Sequence, residues 1–149
     1  MTPQIDNAIE NKVQIIEIPS KTYKLNINEF NIISSDNEQY IEGQDRIIGF
    51  VDNIDAIKQS VYHILNTERY AYLIYEDNYG IELNQFKGQG FEFLEMNIED
   101  VLKEALTYDL RIINVVVNEI NEINKDSAEV KFTVQSIYGD LQVEVNIND

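Results

Sequence analysis

Carboxylates dominate the reactive chemistry of this chain: 27 Asp and Glu stand against 11 Lys and Arg, with one histidine and no cysteine. Hydrolysis of a glycosidic bond needs two carboxyl groups at a set separation, one of them held protonated by its surroundings. Glu68 with Glu76 or Glu82 supplies the residue types, but in so acidic a chain the sequence marks no pair as facing another across a cleft. Cysteine nucleophiles, disulfides and thiolate metal sites are excluded. A serine–histidine arrangement would have to use His63, which lies beside an apolar helical stripe and reads as a partly exposed helix residue. No HExxH or other histidine spacing for a metal exists, and Asp36-Asn37-Glu38 lacks the ordered oxygens and glycine of a calcium loop. Gly88-Gln89-Gly90 is too short for a dinucleotide fingerprint and reads as a helix break. No cofactor, metal or catalytic residue is expected.

Arg69 and Arg111 are more distinctive. Each lies just after an acidic residue at an element boundary, in a chain poor in arginine, and a guanidinium can grip a carboxylate or backbone carbonyls through a directional fork. Internal bracing is the expected role of Arg69. For Arg111 the residues themselves point to an internal salt bridge that pins its loop. Tyr70, Tyr72, Tyr75 and Tyr79 combine apolar area with a polar tip, which suits the rim of a core or an interface.

The elements that position these residues follow from periodicity. Asp52 or Asn53 can cap a helix in which Ile54, Ile57, Val61, Ile64 and Leu65 recur at helical spacing. The pattern breaks at Asn66-Thr67. Tyr70, Tyr72 and Ile74 then alternate with Ala71, Leu73 and Tyr75, predicting a strand covered on both faces. Asp77-Asn78-Tyr79-Gly80 is a turn signal, with Gly80 free to take a positive φ. A short helical turn is expected over 81–86 and a helical stretch from Phe91. Asn97 with Asp100 imitates a capping box and predicts a fresh helix start before Ile98, with Val101, Leu102, Ala105 and Leu106 on its buried stripe.

The last third alternates clearly. Ile113, Val115 and Val117 share one strand face; Val130, Phe132 and Val134 share the next; Leu141, Val143, Val145 and Ile147 share the last. The turns lie at Asn124-Lys125-Asp126-Ser127 and Tyr138-Gly139-Asp140, which makes an antiparallel three-stranded meander whose final strand is an edge. Residues 1–44 form an extended arm with some strand content, where Tyr23, Leu25 and Ile27 alternate with polar neighbours. The expected fold is therefore α+β: a mostly antiparallel sheet with helices packed on one face, spanning residues 45–149 behind that arm.

Here the sequence resembles the sheath-initiator or baseplate-wedge proteins of contractile phage tails, in the branch of PBSX-type prophages and phage-tail-like bacteriocins. That family has a helix ending in a Thr-containing turn, an Arg- or aromatic-led strand and an aromatic-Gly turn. Ile64-Leu65-Asn66-Thr67-Glu68-Arg69-Tyr70, Ile74-Tyr75 and Tyr79-Gly80 match it in order. Its Glu-Pro-Arg triplet before a β-meander corresponds to Asp109-Leu110-Arg111, which keeps the charge order and lacks the proline that would fix φ. The resemblance covers about Asp45 to Ile147 and implies a structural protein, not an enzyme. It would link the baseplate wedge to the sheath, with Asp109 and Arg111 in the region contacting wedge components. Implied partners are the sheath protein, wedge proteins and the tail tube, with multiple copies in a sixfold baseplate assembled in the bacterial cytoplasm. A lysozyme-like label attached to the wider family makes peptidoglycan hydrolysis the alternative.

The formal charge of −16 and the lack of a Lys/Arg cluster argue against nucleic-acid binding. No apolar run is long enough to span a bilayer, and MTPQIDNAIENK lacks the layout of a secretion signal, so no membrane partner is expected. The backbone edge near Leu141, Val143, Val145 and Ile147 is the expected place for a foreign strand to pair.

Overall fold

A computed structural model of the chain describes residues 18–25, 49–125 and 127–148. Their order is β1 (Thr22–Tyr23), β2 (Phe50–Val51), α1 (Asn53–Leu65), a 3₁₀ turn (Leu83–Phe86), α2 (Phe91–Leu106), β3 (Ile112–Asn124), β4 (Ser127–Ser136) and β5 (Gly139–Asn148). The fold is α+β. β3, β4 and β5 form an antiparallel sheet in that order, and β1 pairs with β2 in a separate two-stranded ladder.

One sheet face carries the core. Ile57, Val61, Ile64 and Leu65 of α1 and Leu94, Ile98, Leu102, Ala105 and Leu106 of α2 are buried on it. They meet Ile112 and Val115 of β3, Ala128, Val130, Phe132 and Val134 of β4, and Leu141, Val143 and Ile147 of β5. Strand alternation and helical spacing thus place both apolar sets on facing surfaces. Asp52 caps α1 as its composition predicts, accepting from the Asn53 amide at 2.8 Å.

Three expectations fail, each for a physical reason. Residues 70–75 are turns, not a strand: Tyr70 has φ 65°, and the Ala71 and Tyr75 amides bond locally to Glu68 and Tyr72 carbonyls. Strand propensity needs a partner edge, and among the described residues the only pairing at this loop is a single parallel bridge between Glu68 and Ile81. The predicted strand burial fails with it, since Tyr70, Tyr72, Leu73, Ile74 and Tyr75 are exposed. Helix α2 runs unbroken from Phe91, and the Asn97 side-chain Nδ2 donates back to the Phe93 carbonyl at 2.7 Å instead of capping. Ile113 is exposed because β3 shifts register between Ile112 and Asn114, which puts Ile112 on the core face in its place.

The N-terminal segment touches the body where it is described. Thr22 and Tyr23 pair with Val51 and Phe50, the Lys24 amide donates to the Gly49 carbonyl at 3.1 Å, and Gln59 of α1 bonds the backbone of both Tyr23 and Leu25. Ile27, Asp36-Asn37-Glu38 and most of the expected arm lie outside the described residues.

Candidate interaction surfaces

Residues 67–82 form a loop with a braced base and an apolar tip. At the base, the Ile81 amide donates to the Thr67 carbonyl at 2.9 Å and the Arg69 amide to the Ile81 carbonyl at 3.1 Å. The Thr67 hydroxyl donates to the His63 carbonyl at 2.7 Å, tying the loop to the last turn of α1. Gly80 sits at φ 98°, and a Cβ there would lie 2.5 Å from the Thr67 carbonyl oxygen, so only glycine fits. Arg69 is an internal brace, as expected. Its side chain is 8% exposed, and it donates to the Gly80 carbonyl, to Glu82 at 3.1 Å and to Glu104 at 2.6 Å. Burial opposes its charge, but the Glu104 hydrogen bond and the two carboxylates outweigh that and raise its pKa above the ordinary value.

The tip carries Leu73 at 106% and Ile74 at 85% exposure, beside exposed Tyr70 and Tyr72. A ring ladder supports it from below. Tyr72 meets Tyr75 edge-on at 6.3 Å, Tyr75 stacks on Tyr79 at 4.6 Å, and Tyr79 meets Tyr108 edge-on at 5.7 Å. Tyr79 packs against the core, and burial pushes its hydroxyl pKa up. The Tyr108 hydroxyl donates to Glu76 at 2.9 Å, and that bond raises the Tyr108 pKa.

Asp109-Leu110-Arg111 is a clasp at the mouth of β3. Arg111 forks onto Asp109, Nε to Oδ1 at 2.9 Å and Nη2 to Oδ2 at 2.6 Å, while its backbone amide also donates to Oδ1 at 3.0 Å. The clasp gathers distant segments: the Ser60 hydroxyl of α1 donates to Asp109 at 2.6 Å, and Arg111 Nη1 donates to the Ser20 carbonyl at 3.3 Å. The Ile137 amide, in the β4–β5 turn, donates to the Arg111 carbonyl at 3.0 Å. Burial alone would raise the Asp109 pKa, but hydrogen bonds from the Arg111 side chain, Ser60 and the Arg111 amide outweigh it and hold the carboxyl below its ordinary value. The Asp109 bond in turn raises Arg111. Leu110, between the two charges, is 77% exposed.

The sheet has two edges among the described residues, and they differ. β3 shifts register against β4 at three places, whereas β5 pairs with β4 through ten consecutive residues without a break. Bulges roughen an edge against further pairing; β5 has none. The side chains of Leu141, Val143 and Ile147 are buried, and Val145 packs half-buried against them. Ser136 and Gly139 close a two-residue hairpin, and in such a hairpin the closing pair exchanges its backbone bonds. Alternation then turns the outward N–H and C=O groups onto Asp140, Gln142, Glu144 and Asn146. The four apolar residues named from sequence therefore anchor the strand, and their polar neighbours carry the backbone groups that no other described strand pairs with. Strict alternation of the sequence already held that signal.

Glu68, Glu76 and Glu82 each perform a separate structural task. Glu68 accepts from the Asn84 amide at 3.3 Å, Glu76 from Tyr108, and Glu82 from Arg69. His63 is a half-buried helix residue, and burial lowers its pKa. A small pocket between α2 and the far end of the sheet is lined by Phe86, Phe91, Leu94, Lys125 and Ile147, and none of the three glutamates reaches it. Among the described residues no cluster of His, Asp and Glu could hold a metal, and no helix is long and apolar enough to cross a membrane. Sequence reasoning missed Ser20, Ser60 and Glu104, whose partners are far away in the chain. It also missed the exposed Leu73-Ile74 tip, whose signal was an apolar run ending in Glu76-Asp77 with no strand assigned to pair with it.

Residues 21–139 match the family model described as contractile injection system sheath initiator. The phage-like element PBSX protein XkdS of Bacillus subtilis (strain 168) is 33% identical over 153 aligned positions, which take in 100% of this chain and 97% of that protein.

Proposed function

This chain belongs to the contractile injection system sheath initiator family, and from that premise we propose that it joins the baseplate wedge to the sheath and templates the first sheath ring by strand addition along β5. Membership makes it a structural component of a phage-like tail. The work is assembly without turnover. The observation that carries the proposal is the contrast between the two edges: β3 is bulged three times, and β5 offers ten unbroken residues. A sheath segment laid along β5 would bond to the outward groups of Asp140, Gln142, Glu144 and Asn146, at about 0.5–1.5 kcal/mol net for each bond. Buried Leu141, Val143 and Ile147 hold the strand in place while it does so. Asp109 and Arg111 keep the adjoining turn fixed, and exposed Leu110 gives the wedge a contact at the same end. The acidic surface steers basic patches of the sheath and wedge toward it.

The test uses proline at an outward position. Gln142→Pro removes one free N–H from the edge and leaves the β4 ladder intact, whereas Val143→Pro breaks that ladder. The Gln142 variant should fold, as judged by circular dichroism, and fail to nucleate short sheaths on tail tubes in the presence of sheath protein. Normal nucleation by a Gln142→Pro/Asn146→Pro double variant would remove β5 from the mechanism.

A further inference from the structure

We propose that the loop tip from Tyr70 to Tyr75 is a second docking element, separate from β5, and that its occupant is an apolar protein cleft rimmed by Lys or Arg side chains. The inference rests on the assembly role only in taking that cleft to belong to another component of the same particle. Leu73 and Ile74 are almost wholly exposed, and Tyr70 and Tyr72 extend the apolar surface around them. Contiguous apolar surface of this kind is uncommon on a protein that acts alone.

The tip is also held in shape before any partner arrives. Local amide bonds close three turns, at Glu68–Ala71, Tyr72–Tyr75 and Glu76–Tyr79. The tyrosine ladder and the Tyr108–Glu76 bond support them from below. A prominence already ordered loses little freedom on docking, which favours affinity.

Charge selects the occupant. From Tyr70 to Gly80 there is no Lys or Arg, and Glu68, Glu76 and Asp77 flank the apolar residues. The nearest cation along the sequence, Arg69, is spent on Glu82, Glu104 and the Gly80 carbonyl. A second copy of a −16 chain, or an anionic lipid surface, would meet like charge at this rim. A cleft with a basic rim meets opposite charge and an apolar floor together.

The experiment replaces the gene in the host that makes the particle, purifies particles, and counts copies of this chain in each by quantitative mass spectrometry. Leu73→Asp/Ile74→Asp should lower the copy number by about tenfold, as loss of a buried anchor does. Asp77→Lys/Asn78→Lys, which leaves every described hydrogen bond in place, should lower it by about fivefold through repulsion at the rim. Sheath nucleation by Gln142→Pro is read separately, on isolated tail tubes, so that failure of the β5 role and failure of the tip role give different results. Wild-type incorporation of Leu73→Asp/Ile74→Asp would overturn the proposal. So would wild-type incorporation of Asp77→Lys/Asn78→Lys, which would leave an apolar contact without the basic rim. Two further results would also overturn it: tip-dependent dimers of the soluble chain in sedimentation equilibrium, or tip-dependent cosedimentation with phosphatidylcholine–phosphatidylglycerol vesicles. Both variant pairs lie on exposed positions, and unchanged melting of the soluble proteins confirms that folding is not what is being read.

Discussion

Replacing Gly80 by alanine should destabilise the protein by about 3 kcal/mol, and the parts of that figure can be separated. An L-residue held at φ 98° costs about 1–2 kcal/mol on conformational grounds. The added methyl would stand 2.5 Å from the Thr67 carbonyl oxygen and 3.2 Å from the Arg69 nitrogen. Both contacts are backbone, so the loop base itself has to move. Moving it stretches the 2.9 Å bond from the Ile81 amide to the Thr67 carbonyl, worth about 1 kcal/mol net, and weakens the Arg69 contacts with the Gly80 carbonyl. For a chain of 149 residues, 3 kcal/mol corresponds to a fall in Tm of about 6–12 °C. Gly88 is the control: its φ is 71°, but nothing lies within 4 Å of the Cβ it would acquire, so Gly88→Ala should cost only about 1 kcal/mol. Urea denaturation of the three proteins gives both differences. If Gly80→Ala and Gly88→Ala were equal within error, the close approach of Gly80 to Thr67 would play no part in stability.

Arg111→Lys keeps the charge but loses the fork onto Asp109, and should cost about 1–2 kcal/mol by urea denaturation. Arg111→Ala leaves a largely buried carboxylate without its cation, held only by Ser60 and the residue-111 amide, and should cost about 3 kcal/mol. The Asp109 carboxyl also predicts an acid limb in stability. Its folded pKa lies below its unfolded value, so its contribution is complete above the ordinary carboxylate range and is lost as the pH falls through the folded value. Thermal melts of the wild type should therefore drop more steeply below about pH 4 than melts of Asp109→Asn.

The sequence was most legible where one period ran without interruption. α1 and its Asp52 cap, the paired faces of β4 and β5, and the Tyr79-Gly80 turn all follow from local pattern, because each is decided by residues within a few positions. Tyr70 to Tyr75 misled because aromatic and aliphatic residues favour a strand only when an edge exists to receive them, and that edge is a tertiary fact. Asn97 misled for a related reason: a helix passing through it needs no cap, and its side-chain amide turns back on Phe93. The register shift that exposes Ile113 leaves no trace in hydropathy. Of the clasp, Asp109 and Arg111 were visible as a charge pair, but Ser20 and Ser60 enter it from 91 and 49 residues away, and no spacing rule reaches that far.

If strand addition along the smooth margin starts the sheath, the difference between a puckered margin and a smooth one would have a numerical consequence. A body that can be lengthened on one side and not the other accepts a single addition. A closed circle of such bodies would pass its own count to the layer built upon it. Stoichiometry and direction of growth would then be inherited from three local misalignments in one ribbon of backbone, with no separate device needed to measure either.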